Sequence, residues 1–202
     1  MTLLRHVRGT AVTVAACLFI AVPAMANQVV VLSPTFTEDS IDTPTAKGAP
    51  ACTVNFTASD DRRDHDMAGV VGRVAVHSPT DSQAWMRAIL GGLARRGVTP
   101  QFDSAAPDAT APSAGAPAAT FSLQMAWISP SGDTLSANVV VAVDATGADG
   151  HTLHQTYRGR KTKMNWASGA SEMQSVMDQA FSDVLTKMTP DLQTLCPAAP
   201  AS

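Results

Sequence analysis

The charged run at residues 60–66, Asp-Asp-Arg-Arg-Asp-His-Asp, holds the residue types best suited to chemistry. Its four carboxylates and His65 could bind calcium or supply a general acid and a general base. The run lacks the alternating oxygen ligands, the glycine and the terminal glutamate of a calcium loop, and Arg62 and Arg63 would compete with a cation for the carboxylates. It therefore also fits a solvated loop whose charges pair with one another.

A second candidate is the pair His151 and His154. Imidazoles are common metal ligands. Residues three apart on a strand point to opposite faces, however, so one metal could reach both rings only through a bulge. The same stretch is typical of a hairpin turn that leads into a strand. The chain also lacks Gly-x-Ser-x-Gly, Walker A and Gly-x-Gly-x-x-Gly motifs. We therefore predict a protein without enzymatic activity, without a bound metal and without a cofactor.

Positive charge is concentrated at the end of the last predicted strand, where Arg158, Arg160, Lys161 and Lys163 precede Trp166. An aromatic residue beside a basic cluster suits an interface with an acidic protein partner or with anionic lipid headgroups. The cluster is also typical of a solvated strand end, with the tryptophan at the edge of the core. Nucleic acid is a poor partner, because the chain without its first 26 residues has 12 basic and 17 acidic residues, a net charge of −5.

Alternation of apolar and polar residues predicts the strands that would position these groups. Short segments occur at 28–32 and 51–58, and three longer ones follow within 121–160, joined by turns at 129–133 and 145–150. The turns predict an antiparallel meander. The alternation places four apolar side chains of the first long strand on one face: Phe121, Leu123, Met125 and Trp127.

Apolar residues at helical spacing predict two helices. The first begins at a capping box that starts with Thr80 and ends at Gly97, and its two glycines at 91–92 suggest that it lies close against the sheet. The second has an uninterrupted apolar stripe over 173–188 and is stopped by Pro190. The expected fold is α+β, a two-layer sandwich of an antiparallel sheet with two helices packed on one face.

Residues 1–26 have the order of a secretory signal peptide, with a basic start, a short apolar block and an Ala-Met-Ala step. The apolar block of about 13 residues is shorter than the ~20 that a bilayer-spanning helix needs. Cys17 offers an alternative, because the Val-Ala-Ala-Cys sequence that it ends is similar to a lipobox, and lipidation would anchor the protein to a membrane. The predicted location is the periplasm, with the periplasmic face of the outer membrane as the alternative.

The other two cysteines, Cys52 and Cys196, remain as a pair when Cys17 is removed with the leader. In an oxidising compartment such a pair is expected to form a disulfide bond.

Composition divides the rest of the chain into an extended segment at 27–50, a single α+β domain at 51–196 and a disordered tail at 197–202. Within the domain, residues 104–119 are rich in Ala, Pro, Ser and Gly, which predicts a flexible loop.

Several short motifs follow one another along the chain: Val-Val-Val-Leu-Ser-Pro at 29–34, Thr-Val-Asn-Phe at 53–56 before Asp-Asp-Arg-Arg at 60–63, Leu-Ala-Arg-Arg-Gly at 93–97, Tyr-Arg-Gly at 157–159 and Thr-Pro-Asp at 189–191. In this order they resemble the YajG-like family of Gram-negative envelope lipoproteins, over most of residues 28–191. The resemblance includes no catalytic signature. It implies an envelope location and, by analogy with similar two-layer lipoproteins, an accessory role in transport or assembly machines.

These observations predict an exported, non-enzymatic module that binds an envelope protein partner as part of an assembly or transport machine. The alternative is a periplasmic carrier of a lipid or another apolar ligand, held between the helices and the sheet. A hydrolase that uses the charged run at 60–66 is a third hypothesis.

Overall fold

A mixed β-sheet with two α-helices packed against it forms the core of the protein. The computed structural model describes residues 28–38, 52–102, 115–166 and 169–196. The predicted signal peptide with Cys17, most of the predicted loop at 104–119 and the predicted tail at 197–202 lie outside these residues. The strands are β1 (Val29–Val31), β2 (Cys52–Asp60), β3 (Met67–Val71), β4 (Val74–His77), β5 (Val98–Phe102), β6 (Ala118–Ser131), β7 (Thr134–Thr146) and β8 (Thr152–Met164). The helices are α1 (Ser82–Gly91), a 3-10 helix (Gly92–Arg96) that continues it, and α2 (Ala170–Thr194).

The prediction of a two-layer sandwich built on an antiparallel sheet is wrong, because the eight-stranded sheet is mixed. The predicted meander of β6, β7 and β8 is antiparallel, and so is the pair of β3 and β4. The remaining pairs are parallel: β1 with β4, β2 with β5, and β6 with both β2 and β3. Parallel strands need a crossover connection, and α1 lies in the connection that brings the chain back to β5 beside β2. Period-two alternation is the same in both kinds of pairing, so the sequence pattern does not distinguish them.

The core lies between the sheet and α2. The apolar stripe that the sequence predicts for this helix is fully buried: Met173, Val176, Met177, Ala180, Phe181, Val184, Leu185 and Met188. The prediction that Pro190 stops the helix is wrong, because α2 continues to Thr194. A proline removes one backbone donor from a helix. Burial of Leu192 and Leu195 beyond it keeps the last turn packed on the core.

The first helix differs from its prediction at two points. Its N-cap is Asp81 rather than Thr80, and the Asp81 carboxylate accepts a hydrogen bond of 2.8 Å from the backbone N–H of Ala84. The glycine at position 92 lies close to α2 and to the N-terminal segment, not to the sheet. A Cβ on Gly92 would lie 2.7 Å from Cε1 of Phe36 and 2.9 Å from Cδ1 of Leu185.

The chain ends of the core are joined covalently and by polar contacts. A disulfide bond connects Cys52, at the start of β2, to Cys196, just beyond α2, with the Cα atoms 5.8 Å apart. The N-terminal segment runs along α2, where Gln174 and Asp178 accept hydrogen bonds from the backbone N–H groups of Ser33 and Thr37 at 2.8 and 3.2 Å. The N-terminal segment is therefore part of the packed structure up to residue 38.

Candidate binding surface

A β-bulge in β6 changes which side chains of that strand face the helices. Leu123 pairs with Val141 of β7, but Met125, two residues further on, pairs with Val140. Gln124 is therefore an extra residue in β6. Because successive side chains on a strand point to opposite faces, one extra residue moves every later side chain to the other face.

The bulge places Met125 and Trp127 on the face of the sheet opposite the helices, which we call the outer face. Phe121 and Leu123, before the bulge, are fully buried on the helix side. Met125 and Trp127, after it, are each 38% exposed. The prediction that all four side chains share one face is therefore wrong. A local signal of the bulge is the unbroken apolar run Met-Ala-Trp-Ile at 125–128, where the alternation fails.

The outer face carries a group of exposed apolar side chains, the apolar patch, formed by Val29, Val31, Val70, Met125 and Trp127. The register connects Val29 to Val70, since Val29 pairs with Ala75 of β4, and Ala75 pairs with Val70 of β3. The pair Gly69–Ile128 then brings Val70 and Trp127, the residues next to each, to diagonal positions on β3 and β6. Val29 and Val31 are 57% and 58% exposed. Large apolar side chains exposed together, rather than singly, mark an interaction site.

Two arginines of β8 lie directly beside the patch. Val140 stands between Met125 and Arg158, and Asn138 stands between Trp127 and Arg160, in the register of β6, β7 and β8. Both arginines are exposed. Within the described ranges, neither guanidinium forms an ion pair with a carboxylate. The apolar patch therefore has unpaired positive charge at its β8 end.

The basic cluster predicted from the sequence does not form one surface. Strand alternation places Lys161 and Lys163 on the helix side, and Nζ of Lys163 donates to Oγ of Ser175 in α2 at 3.1 Å. Trp166 lies beyond the end of β8 and is 80% exposed. Only Arg158 and Arg160 of the five predicted residues lie on the outer face.

The charged run at 60–66 contains a buried ion pair rather than only solvated charges. Two nitrogens of Arg62, Nε and Nη2, bind the two carboxylate oxygens of Asp60 at 2.8 and 2.6 Å. Arg62 also donates to Oγ of Ser78 at 2.7 Å, and its guanidinium lies 5.6 Å from the ring centre of Trp85. Burial raises the pKa of Asp60, but the hydrogen bonds and charge of Arg62 outweigh it and hold that pKa below its usual value. A carboxylate held in this way is a structural group and a poor general acid.

The two histidines of the second candidate site have separate surroundings. The backbone carbonyl of His151 accepts from the N–H of Gly147 in the turn, whereas Nδ1 of His154 lies 2.7 Å from Oδ1 of Asp144. Asp144 stands between Thr120 and His154 in the sheet register, so the carboxylate separates the hydroxyl from the imidazole. This order does not match a nucleophile activated by a histidine. The described residues also contain no cluster of three or more His, Cys, Asp or Glu that could hold a metal ion.

A polar cleft of about 290 Å³ lies between α2, β8 and the end of the N-terminal segment. Two of its carboxylates already have partners. Glu38 pairs with Arg96 and accepts from Oγ of Ser182 at 3.0 Å, and Asp183 accepts from Nζ of Lys187 and from the backbone N–H of Arg160 at 2.8 and 3.1 Å. We therefore consider the outer face, not this cleft, the candidate functional site.

The side chain of Tyr157 connects the meander to the end of α2. Its hydroxyl donates to Oδ2 of Asp191 at 2.6 Å. Burial, the hydrogen bond to Asp191 and the charge of that carboxylate all raise the pKa of Tyr157 well above its usual value. This contact keeps the tyrosine neutral and fixes the C-terminal part of α2 on β8.

None of the described helices has the length and apolar composition needed to cross a membrane.

Comparisons with known proteins relate the fold to bacterial proteins of low sequence identity. No protein-family model and no curated protein matches the sequence. The structure is similar to that of protein XCC0632 from Xanthomonas campestris, described with the family model DUF330, with a TM-score of 0.51 and 9% identity over 83% of this chain and 96% of that one. A minor lipoprotein from Acinetobacter baumannii gives a TM-score of 0.39 at 8% identity, covering 74% of this chain and 98% of its own. Lipoprotein GNA1162 from Neisseria meningitidis gives 0.37 at 10% identity, covering 70% and 99%. The Xanthomonas protein thus shares the fold, whereas TM-scores below 0.5 do not establish a common fold.

Proposed function

We propose that this protein is a non-enzymatic accessory module of the cell envelope that binds a partner protein through the outer face of its sheet. The observation that carries the proposal is the apolar patch, in which Met125 and Trp127 are exposed together with three valines of β1 and β3. Aromatic residues, methionine and arginine are enriched at protein interfaces. The patch supplies the first two, and Arg158 and Arg160 supply the third.

The envelope location rests on the leader sequence and on the disulfide bond. The order of residues 1–26 is that of a secretory signal peptide. The bond between Cys52 and Cys196 is of the kind that persists in oxidising compartments. Membership of the YajG-like lipoproteins, which the sequence motifs suggest, would also imply an envelope location.

The absence of enzymatic activity is part of the proposal and is supported by the state of the charged groups. Asp60 is held by Arg62, and Asp144 separates Thr120 from His154. Neither Asp60 nor the row of Thr120, Asp144 and His154 is therefore arranged for acid–base or nucleophilic chemistry.

The packing between α2 and β8 argues against the alternative of a lipid carrier. Gly159 of β8 lies so close to α2 that a Cβ at this position would be 2.0 Å from the carbonyl oxygen of Ala180. Backbones this close leave no space for an acyl chain between helix and sheet at this point.

Photo-crosslinking in living cells tests the proposal. The full chain, with its own leader, carries benzoylphenylalanine in place of Trp127 and is irradiated in its host. We expect a discrete adduct with one envelope protein. The same substitution at Lys187, on the exposed side of α2, is the matched control and should give none. Absence of an adduct at position 127, or the same adducts at both positions, would refute a binding role for the outer face.

A further inference from the structure

We infer that the outer face binds an amphipathic helix of the partner protein, about 16 residues long, with aspartate or glutamate at one end. The inference rests on the proposed binding function and adds the chemistry of the partner. It follows from three properties of the outer face: its length, its width and the position of its charge.

The length of the surface is set by the strands that it crosses. It extends from Val29 and Val31 of β1 through β4, β3, β6 and β7 to Arg158 and Arg160 of β8. Neighbouring strands are about 4.8 Å apart, so six strands span roughly 24 Å. A helix rises 1.5 Å per residue, and a helix of about 16 residues covers this distance.

The width of the surface at each end matches one helix. Val29, Ala75 and Val70 lie in one cross-strand row, and Val31 starts the next, beside His77. Because Gly69 pairs with Ile128, Val70 lies at the level of Ser129, and the rows that end at Arg160 and Arg158 are displaced from the Val70 row along β6. Side chains on the same face of a strand are about 7 Å apart, so two adjacent rows at either end fit beneath a helix of about 10–12 Å diameter that crosses the strands obliquely.

Among the described residues of these cross-strand rows, the arginine and lysine charges lie at one end. Arg158 and Arg160 lie at the β8 end, and two valines lie at the β1 end. Neither arginine has a carboxylate partner among the described residues, so a partner that supplies carboxylates there gains charge-assisted hydrogen bonds. The complementary helix is therefore apolar along one side and acidic at the end over β8.

Anionic lipid could also supply negative charge, but the geometry favours a helix. Interfacial side chains are buried about 5–10 Å below the lipid headgroups. Met125 and Trp127 stand on a strand inside the sheet, with neighbouring strands on both sides, and are only 38% exposed. They do not project from a loop or helix as insertion to that depth requires.

A display library tests the inference on the purified chain without its leader, residues 27–202. The probe is a set of helical peptides of about 16 residues, with fixed apolar positions at helical spacing and randomised residues at both ends. We expect the wild-type chain to enrich peptides with Asp or Glu at one end. The double variant Arg158→Glu, Arg160→Glu should bind those peptides at least about tenfold more weakly and enrich Lys and Arg instead.

The matched control is the double variant Lys161→Glu, Lys163→Glu, which changes the net charge equally but on the helix side of β8. It should select acidic peptides as the wild type does. Enrichment of basic ends by the arginine variant would itself show that this variant is folded. Equal selection by all three proteins, or no selection of acidic ends by the wild type, would overturn the inference.

Two further outcomes separate the inference from its alternatives. Wild-type binding to phosphatidylglycerol vesicles that is lost in the arginine variant would assign the surface to lipid and overturn the inference. Selection of acidic helices without a crosslinked partner in cells would uphold the surface chemistry and refute the proposed function. A crosslinked partner in cells without selection of acidic helices would uphold the proposed function and overturn the inference about the partner helix.

Discussion

Replacing Gly159 with alanine should destabilise the protein, because α2 lies directly on the backbone of β8. A Cβ at this position would be 2.0 Å from the carbonyl oxygen of Ala180 and 2.8 Å from Cγ2 of Val184. Carbon and oxygen atoms in contact are normally about 3.3 Å apart. Since the closer of these atoms belongs to the backbone of α2, rotation of a side chain cannot relieve the contact. The helix must move away by more than about 1 Å.

The magnitude follows from the packing that this movement would loosen. Val176, Met177 and Val184 lie within one turn of Ala180 and are fully buried. Each such side chain contributes about 1.5–3 kcal/mol when buried, and a gap of about 0.5–1 Å removes a quarter to a half of the dispersion energy across it. A loss of roughly one third at three side chains is about 1.5–3 kcal/mol, within the usual range for overpacking.

Thermal and guanidinium unfolding, followed by far-ultraviolet circular dichroism, measures this loss. For a chain of this size, about 1.5–3 kcal/mol corresponds to a Tm lower by roughly 3–12 °C. Gly91→Ala is the control, because a Cβ there would meet no atom within 4 Å. It should leave stability unchanged or raise it by about 0.4–1 kcal/mol. An unchanged Tm for Gly159→Ala would show that α2 can separate from β8, which refutes the packing argument and revives the lipid carrier.

Two further predictions concern the disulfide bond and the buried ion pair. Replacing Cys52 and Cys196 with alanine should lower the free energy of unfolding in urea by about 5 kcal/mol, because the bond closes a loop with a sequence separation of 144; a loss below about 1 kcal/mol would contradict the loop-closure argument. The folded pKa of Asp60 lies below its unfolded value near 3.8, so its stabilisation is complete above that value and is lost as the pH falls through the folded pKa. Asp60→Asn should therefore reduce the acid dependence of unfolding as the pH falls below about 5, and an unchanged dependence would count against the ion pair.

Features that depend on nearby residues could be predicted from the sequence. The antiparallel meander of β6, β7 and β8 follows from short turns, and the buried stripe of α2 follows from its spacing. The disulfide bond between Cys52 and Cys196 could be predicted because the predicted removal of the leader leaves a single pair of cysteines. In each case the physical cause lies within one element or in residue type alone.

Features that depend on residues far apart in the chain could not be predicted from the sequence. The parallel pairs of β6 with β2 and β3 involve strands separated by tens of residues, and alternation carries no information on strand direction. The observed N-cap, Asp81, differs from the predicted one, Thr80, by one residue. Both residue types are good caps, and the position of the helix on the core decides between them. Pro190 is tolerated inside α2 because burial on both sides of it outweighs one lost hydrogen bond.

The candidate site has a part that residue type indicates, the arginines of β8, and a part that depends on the bulge in β6, the exposed side chains of Met125 and Trp127. Charge alone marks Arg158 and Arg160 as candidate interaction residues in the sequence, whereas alternation predicts that their apolar neighbours Met125 and Trp127 share a face with Leu123. Without Gln124 as an extra residue, Met125 and Trp127 would be on the same face as Leu123 and would be buried with it. The bulge instead gives their core positions to Ala126 and Ile128, which are buried. The core at this part of β6 is therefore filled by Ala126 and Ile128. Met125 and Trp127 are left 38% exposed on the outer face, which is where the proposed function requires apolar side chains.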